Sequence, residues 1–264
     1  AGRIKPIKIN ELAYLKSLPT KPLHLHWSFD SVDDGNFTTE SSYKNLSLTQ
    51  NTLHSKQAIE NAQVSGKYGK ALQFAALNDY LSTDWKGISG SQPRTVSFWI
   101  KESSKEKHTM ASLLGWGQRE GERGRGSIFL FFSKNHSGSD VILALTIGGC
   151  EFEVKKHAPV DQWVHFTCVY HGKQDENGRP AFSFYLNGEL EPYSFKNLNK
   201  DSDEPTIDTV TENSLSTPFS IGSSLVLNPN YDFPRNSALD ELHIISDALS
   251  PEEVKFLFLN NKLK

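Results

Sequence analysis

The chain has 264 residues, 37% of them hydrophobic and 22% charged, and a formal net charge of −3. That length suits one large all-β domain or two small ones. The charge makes no electrostatic case for nucleic acid or an anionic membrane, and the longest apolar runs fall far short of a bilayer span.

Residues 1–22 read as an N-terminal linker or packed extension, with a short helical turn after Asn10 that Pro19 and Pro22 end. The chain starts with Ala-Gly instead of Met, so an upstream region is expected to have been removed or excluded. From Leu23 to Asp30 the residues alternate. Leu23, Leu25, Trp27 and Phe29 share one face; His24, His26, Ser28 and Asp30 share the other. That is the pattern of a half-buried strand.

Residues 31–64 are polar and irregular, with a turn at Asp33-Asp34-Gly35 and a short strand starting near Ser47. Short strands are expected at 71–74 and 79–82, and Arg94 to Lys101 sets Val96, Phe98 and Ile100 against Thr95, Ser97 and Trp99. Further strands follow at 113–116, 127–133, 141–147, 151–154, 163–170 and 182–186, the last running into Asn187-Gly188, a strong hairpin signal. Three connections stand out as exposed: the Gly- and Arg-rich stretch 118–126, the long polar excursion 194–217, and the aromatic-tipped segment 225–237. About a dozen short strands give an all-β, two-sheet antiparallel sandwich.

The end of the chain is distinctive. Leu239, Leu242, Ile244 and Ile245 make a buried strand that carries Asp240 and Glu241 in its middle. Ser250-Pro251-Glu252-Glu253 then opens a short helix with N-cap, first-turn proline and capping-box glutamate in place. This closing strand needs a partner far upstream, and Leu23 to Asp30 is the best candidate.

Two cysteines are present, Cys150 and Cys168. If their strands form a hairpin about Pro159 they fall opposite each other and a disulfide becomes geometrically possible. The alternative, which carries more weight, is two buried free thiols acting as small apolar residues.

Eight segments taken together, LHWSFD, SGKYGKALQF, NDYLST, RTVSFWIK, QWVHFTCVY, FYLNGEL, FSIGSS and ALDELHIISDALSPEEV, resemble the laminin-G-like, concanavalin A-like jelly rolls of bacteria over residues 23–259. The resemblance implies a jelly-roll sandwich with a short C-terminal helix, and says little about function, because this fold hosts lectins, adhesion modules, hydrolases and spacers. It also implies a structural Ca²⁺ at Asp30 and Asp240, since the ion often sits at the equivalent positions and oxygen ligands suit it. The plain alternative is that Asp30 caps a turn and Asp240 bonds backbone amides.

Other chemistry has thinner support. His24-x-His26 puts two imidazoles on one strand face without further ligands in sequence, so they read as exposed strand histidines; His165 and His243 read as scattered and structural. The E-x-D-x-x-E spacing of laminarinase-type relatives is absent. Glu151/Glu153 and Glu189/Glu191 place carboxylates in pairs, as exposed strand faces also do. For ligand binding the candidates are aromatic residues at loop tips with polar partners: Trp85, Trp116, Tyr231 and Phe233, with Arg119, Arg123, Arg125 and Asn230.

The expectation is a non-catalytic, monomeric module outside the bacterial cytoplasm (extracellular, cell-surface or periplasmic), part of a longer protein and binding glycan. The alternative is a protein-interaction, adhesion or spacer module; a glycosidase or lyase ranks last.

Overall fold

The computed structural model describes residues 23–33, 36–39, 47–52, 62–74, 79–118, 127–198, 208–212, 214–222 and 233–263. The strands are β1 His24–Trp27, β2 Val32–Asp33, β3 Asn36–Thr38, β4 Ser47–Thr52, β5 Gln63–Ser65, β6 Lys70–Leu72, β7 Asp79–Ser82, β8 Arg94–Lys101, β9 His108–Gln118 and β10 Ser127–Asn135. They continue as β11 Asp140–Ile147, β12 Cys150–Val154, β13 Ala158–Pro159, β14 Val164–Gln174, β15 Pro180–Leu186, β16 Glu189–Glu191, β17 Tyr193–Asn197, β18 Thr217–Gly222 and β19 Ala238–Ile245, followed by the helix α1, Pro251–Asn260. No helix among the described residues is long and apolar enough to cross a membrane.

Two antiparallel sheets form the sandwich. One runs β16-β15-β14-β8-β19-β6-β5, with β1 also on β19; the other runs β17-β12-β11-β10-β9-β18-β7-β4-β3-β2, with β13 on β11. The expected meeting of the chain's extremities is present: His24 pairs with Ile245, Leu25 with Ile244, His26 with His243 and Trp27 with Leu242. The strand period of two then sorts the side chains. Leu25, Trp27, Val96, Phe98, Ile100, Phe129, Phe131, Phe166, Leu239, Leu242 and Ile244 enter one continuous core between the sheets.

The helix is built as its sequence dictates. Ser250 Oγ accepts from the Glu253 amide, Glu253 returns a bond to the Ser250 amide, and Pro251 sits in the first turn. Val254 and Leu257 bury against Val169, Tyr185, Ile245 and Leu249 on the outer face of the eight-stranded sheet. Asn261, in the left-handed region at φ 53°, ends the helix by bonding Leu257 O.

The hairpin expected to oppose the cysteines does not form. Cys150 lies in β12, between β11 and β17, whereas Cys168 lies in β14 of the other sheet, between β8 and β15. The chain crosses between the sheets after β13 instead of turning back on itself. Both thiols are free and buried, and burial pushes the Cys150 thiol up to about 11.

The polar stretch 31–64 is more regular than its composition suggests, since β2, β3 and β4 extend one edge of the larger sheet. Likewise, the excursion that starts at 194 begins inside β17, which pairs with β12. The extension at 1–22 lies outside the described residues.

Candidate functional site

The loop between β7 and β8, residues 83–93, carries Trp85, an aromatic partly open to solvent. Its anchor is Arg94, the first residue of β8, whose side chain is wholly buried. All five guanidinium N–H groups can be assigned acceptors: Nε donates to Gln92 O (3.0 Å), Nη1 to Ile88 O (2.9 Å) and Thr209 Oγ1 (3.2 Å), and Nη2 to Ser89 O (3.2 Å) and Gly90 O (2.8 Å). Phe129 and Tyr170 lie beside the cation, 5.2 and 5.7 Å from ring centroid to Cζ. Burial draws the group down to about 10, still cationic at neutral pH. Backbone bonds in both directions between Gly90 and Thr209 complete the support.

Trp116 is the second anchor. Its indole Nε1 donates to Ile88 O at 3.0 Å, and its ring packs so closely on Gly87, at φ 91°, that a Cβ there would collide with it. Trp116 is therefore corrected from a loop-tip ligand contact to a core residue with no exposed surface. Phe233 is corrected in the same way: it is 3% exposed and packs edge-on against Phe74.

Trp85 is half-buried. Its ring rests on Trp116 and Phe219 at centroid distances of 5.8 and 6.1 Å, its N–H donates to Thr83 Oγ1, and its carbonyl accepts from the Phe219 amide. Exposed Asp84 and Lys86 flank it. The loop thus offers one ring, partly open to solvent, on a rigid base. Arg119, Arg123, Arg125, Asn230 and Tyr231 lie outside the described residues. Gln118, where the first of those segments begins, sits at the Trp85 end of the sheet, because Gly117 pairs with Thr217. Gly222, where the other begins, lies at the opposite end of β18, beside Tyr80.

Asp30 and Asp240 act on one turn. Asp240 Oδ2 accepts from the amides of Lys67 (2.7 Å) and Tyr68 (3.0 Å), and its Oδ1 from Glu241 (2.9 Å). Asp30 Oδ1 accepts from the Lys70 amide at 2.6 Å. The two carboxylates grip opposite sides of the turn Gly66–Gly69. Gly69, at φ 49°, lies so close to Asp30 that a Cβ would overlap its carboxylate. These are the positions at which the family resemblance implies Ca²⁺. The groups bonded to both Asp240 oxygens and to Asp30 Oδ1 are backbone N–H donors, an arrangement that fits turn clamping.

The paired glutamates are neutralised. Lys134 and Lys196 both reach Glu151 and Glu153 on the outer face of the larger sheet. Burial works to raise the Glu153 carboxyl, but the bonds to Lys134 and Glu151 and the charges of Lys134 and Lys196 together outweigh that and hold it below the usual range. Glu189 pairs with Lys255 and Glu191 with Lys156. A glycosidase acid needs the opposite environment, one that keeps a carboxyl protonated near neutrality.

The histidines depart from the sequence expectation. His24 and His26 are not simply exposed strand residues. They stack with His243, from the neighbouring strand, on the outer face of the eight-stranded sheet, and Glu241 joins them. Their partners are more than 200 residues away in sequence, so local spacing carried no signal for the group.

The comparisons with known proteins agree with this architecture. No curated protein sequence matches the chain. Among solved structures, domain 4 of AbnA, an extracellular arabinanase from Geobacillus stearothermophilus in complex with arabinotriose, is similar with a TM-score of 0.54 and 21% identity, covering 90% of this chain and 98% of that one. The binding domain of Paraclostridial Mosquitocidal Protein 1 has the same TM-score at 16% identity, covering 90% of this chain and 52% of that one. Trypanosoma rangeli sialidase with sialic acid also scores 0.54, at 14% identity, covering 92% of this chain and 34% of that one. At these identities the likeness establishes the fold alone. The sequence itself matches a family model over residues 75–255, more than half its length, and the chain belongs to the concanavalin A-like lectin/glucanases superfamily.

Proposed function

We propose that this chain is a non-catalytic carbohydrate-binding module and that the Trp85 loop is its aromatic platform. The observation that carries the proposal is the complete hydrogen bonding of buried Arg94 to the loop beneath Trp85. A buried cation spent on four loop carbonyls and the Thr209 hydroxyl makes the loop rigid, and a rigid ring loses little freedom when a sugar stacks on it. Arg119 and Arg123, which follow Gln118 in the sequence, are proposed as hydroxyl-bonding partners. Asn230 and Tyr231 are kept as secondary contacts, because their segment begins at the far end of β18. A glycan-bound relative on this fold, the arabinanase domain with arabinotriose, supports the ligand class, and its description as extracellular supports a setting outside the cytoplasm within a longer protein. The ion-paired state of Glu151, Glu153, Glu189 and Glu191 supports the non-catalytic reading.

A glycan microarray probed with the wild type and with Trp85→Ala tests this. Binding to a defined oligosaccharide set is expected, and the variant should lose it while keeping the wild-type circular dichroism spectrum. A silent array together with a specific protein partner would favour the interaction-module reading, and release of free sugar by the purified chain would overturn the non-catalytic one.

A further inference from the structure

The outer face of the eight-stranded sheet carries a polar seam that glycan binding does not use. Residues His26, His243, Ser97 and Thr167 follow one another across β1, β19, β8 and β14 by direct pairing. Ser97 Oγ bonds Thr167 Oγ1 at 2.9 Å and His165 Nε2 at 2.8 Å at one end of the row. The other end gathers a carboxylate. The His26 and His243 rings are parallel, with centroids 4.0 Å apart. His24 Nε2 lies 3.0 Å from His243 Nδ1, and His26 Nε2 lies 2.5 Å from Glu241 Oε2.

A bulge brings the carboxylate there. The register of β19 against β8 shifts between Asp240 and His243, and Glu241 takes φ 49°. Leu239 and Leu242 face the core, so the bulge turns two consecutive residues, Asp240 and Glu241, to the outer face. A non-glycine residue in the left-handed region costs roughly 1–3 kcal/mol and persists where its surroundings require it.

We propose that His26, Glu241 and His243 form a binding site for a borderline divalent transition-metal ion, Zn²⁺ foremost, with His24 beside them. One donor atom from each of the three lies within 4.8 Å of the others. Tetrahedral zinc with bonds of about 2.1 Å holds its ligand atoms roughly 3.4 Å apart, so His26 Nε2 and Glu241 Oε2, 2.5 Å apart here, would have to separate. That adjustment falls to His26, whose side chain is 14% exposed and gives the cluster its opening to solvent. The ion takes the place of the hydrogen bond between His26 Nε2 and Glu241 Oε2, the ring hydrogen moving to Nδ1.

The donor set favours a metal over a merely structural cluster. His243 is 1% exposed, and the Asn261 side chain, just past α1, stands against its ring. Two nitrogens and one carboxylate suit Zn²⁺, Ni²⁺ or Cu²⁺ and do not suit Ca²⁺.

The test is calorimetric titration of ZnCl₂ into tag-free protein, previously stripped with chelator, alongside thermal melts. Saturable binding of one ion per chain and an upward melting shift are expected, with His26→Ala and Glu241→Gln each weakening affinity by roughly tenfold or more. Absence of saturable binding by the wild type, or unchanged affinity in both folded variants, would overturn the site. Should a variant fail to fold, Co²⁺ titrated into the wild type decides. Intense visible absorption of a four-coordinate ion supports the proposal, and the weak spectrum of a hydrated six-coordinate ion contradicts it. None of these readouts depends on sugar binding.

Discussion

Arg94→Met is expected to destabilise the chain by about 3–5 kcal/mol, the cost of several acceptors losing their donor at about 1–3 kcal/mol each. The substitution keeps a long apolar side chain near Phe129 and Tyr170. It leaves the Ser89 and Gln92 carbonyls and the Thr209 hydroxyl without this donor, while Ile88 O keeps Trp116 Nε1 and Gly90 O keeps the Thr209 amide. Arg94→Lys should recover only part of the loss, since three donors on a point charge cannot reproduce a planar fork of five. Urea unfolding measures this directly. Because the same bonds set the shape of the loop, both variants should also bind glycan more weakly even under conditions where they are fully folded. A Met variant within 1 kcal/mol of wild type, on the order of an ordinary surface change, would mean that the loop holds itself.

The second large effect concerns Glu102, which follows β8 and is 3% exposed. Neither carboxyl oxygen makes a hydrogen bond of normal geometry. His108 Nε2 stands 3.5 Å away, but burial and then the nearby His136 draw His108 down to about 4, so it brings no charge at neutral pH. Burial pushes Glu102 up to about 7, with Ser133 opposing the shift. The sign follows from proton counting. Between its ordinary value of 4.5 and about 7, the folded chain binds more protons at this group than the unfolded chain does, so stability falls as pH rises through that window. A shift of this size corresponds to about 3 kcal/mol. Glu102→Gln keeps the shape and removes the titration; His108 titrates in both proteins and largely cancels. The variant should match wild type near pH 5 and exceed it by about 2–3 kcal/mol at pH 8. Equal differences at the two pH values would show that Glu102 has a charge partner.

Much of the fold was legible because its signals are local or symmetric about the core. The alternation of Leu25 and Trp27 against His24 and His26 marked β1, and the capping box at Ser250 marked α1. The apolar run around Asp240 and Glu241 marked a closing strand that needed a distant partner, and β1 is that partner. What stayed hidden has equally physical reasons. A hairpin and a crossover can carry the same strand–turn–strand pattern, so GGCEFEV and WVHFTCVY could not reveal that Cys150 and Cys168 belong to different sheets. An aromatic beside a Gly-rich loop reads as a tip, yet Trp116 lies under Gly87 and within β9. The histidine cluster depends on a bulge that turns Glu241 outward and on pairings across the whole chain, neither of which has a periodic trace. The Asp30 and Asp240 carboxylates were legible as a pair acting near one another. That backbone amides fill their oxygens appears only when the Gly66–Gly69 turn is in place.

We propose Trp85, on a base fixed by Arg94, as the place where this chain meets a sugar. Indole N–H resonances test it most directly, since the chain has only five tryptophans, of which Trp27, Trp99 and Trp116 are buried. On titration with an oligosaccharide that the protein retains, the Trp85 indole signal, assigned through Trp85→Phe, should move progressively and saturably while those of Trp27 and Trp99 stay in place. Saturable glycan binding that leaves the Trp85 resonance unmoved would contradict the account.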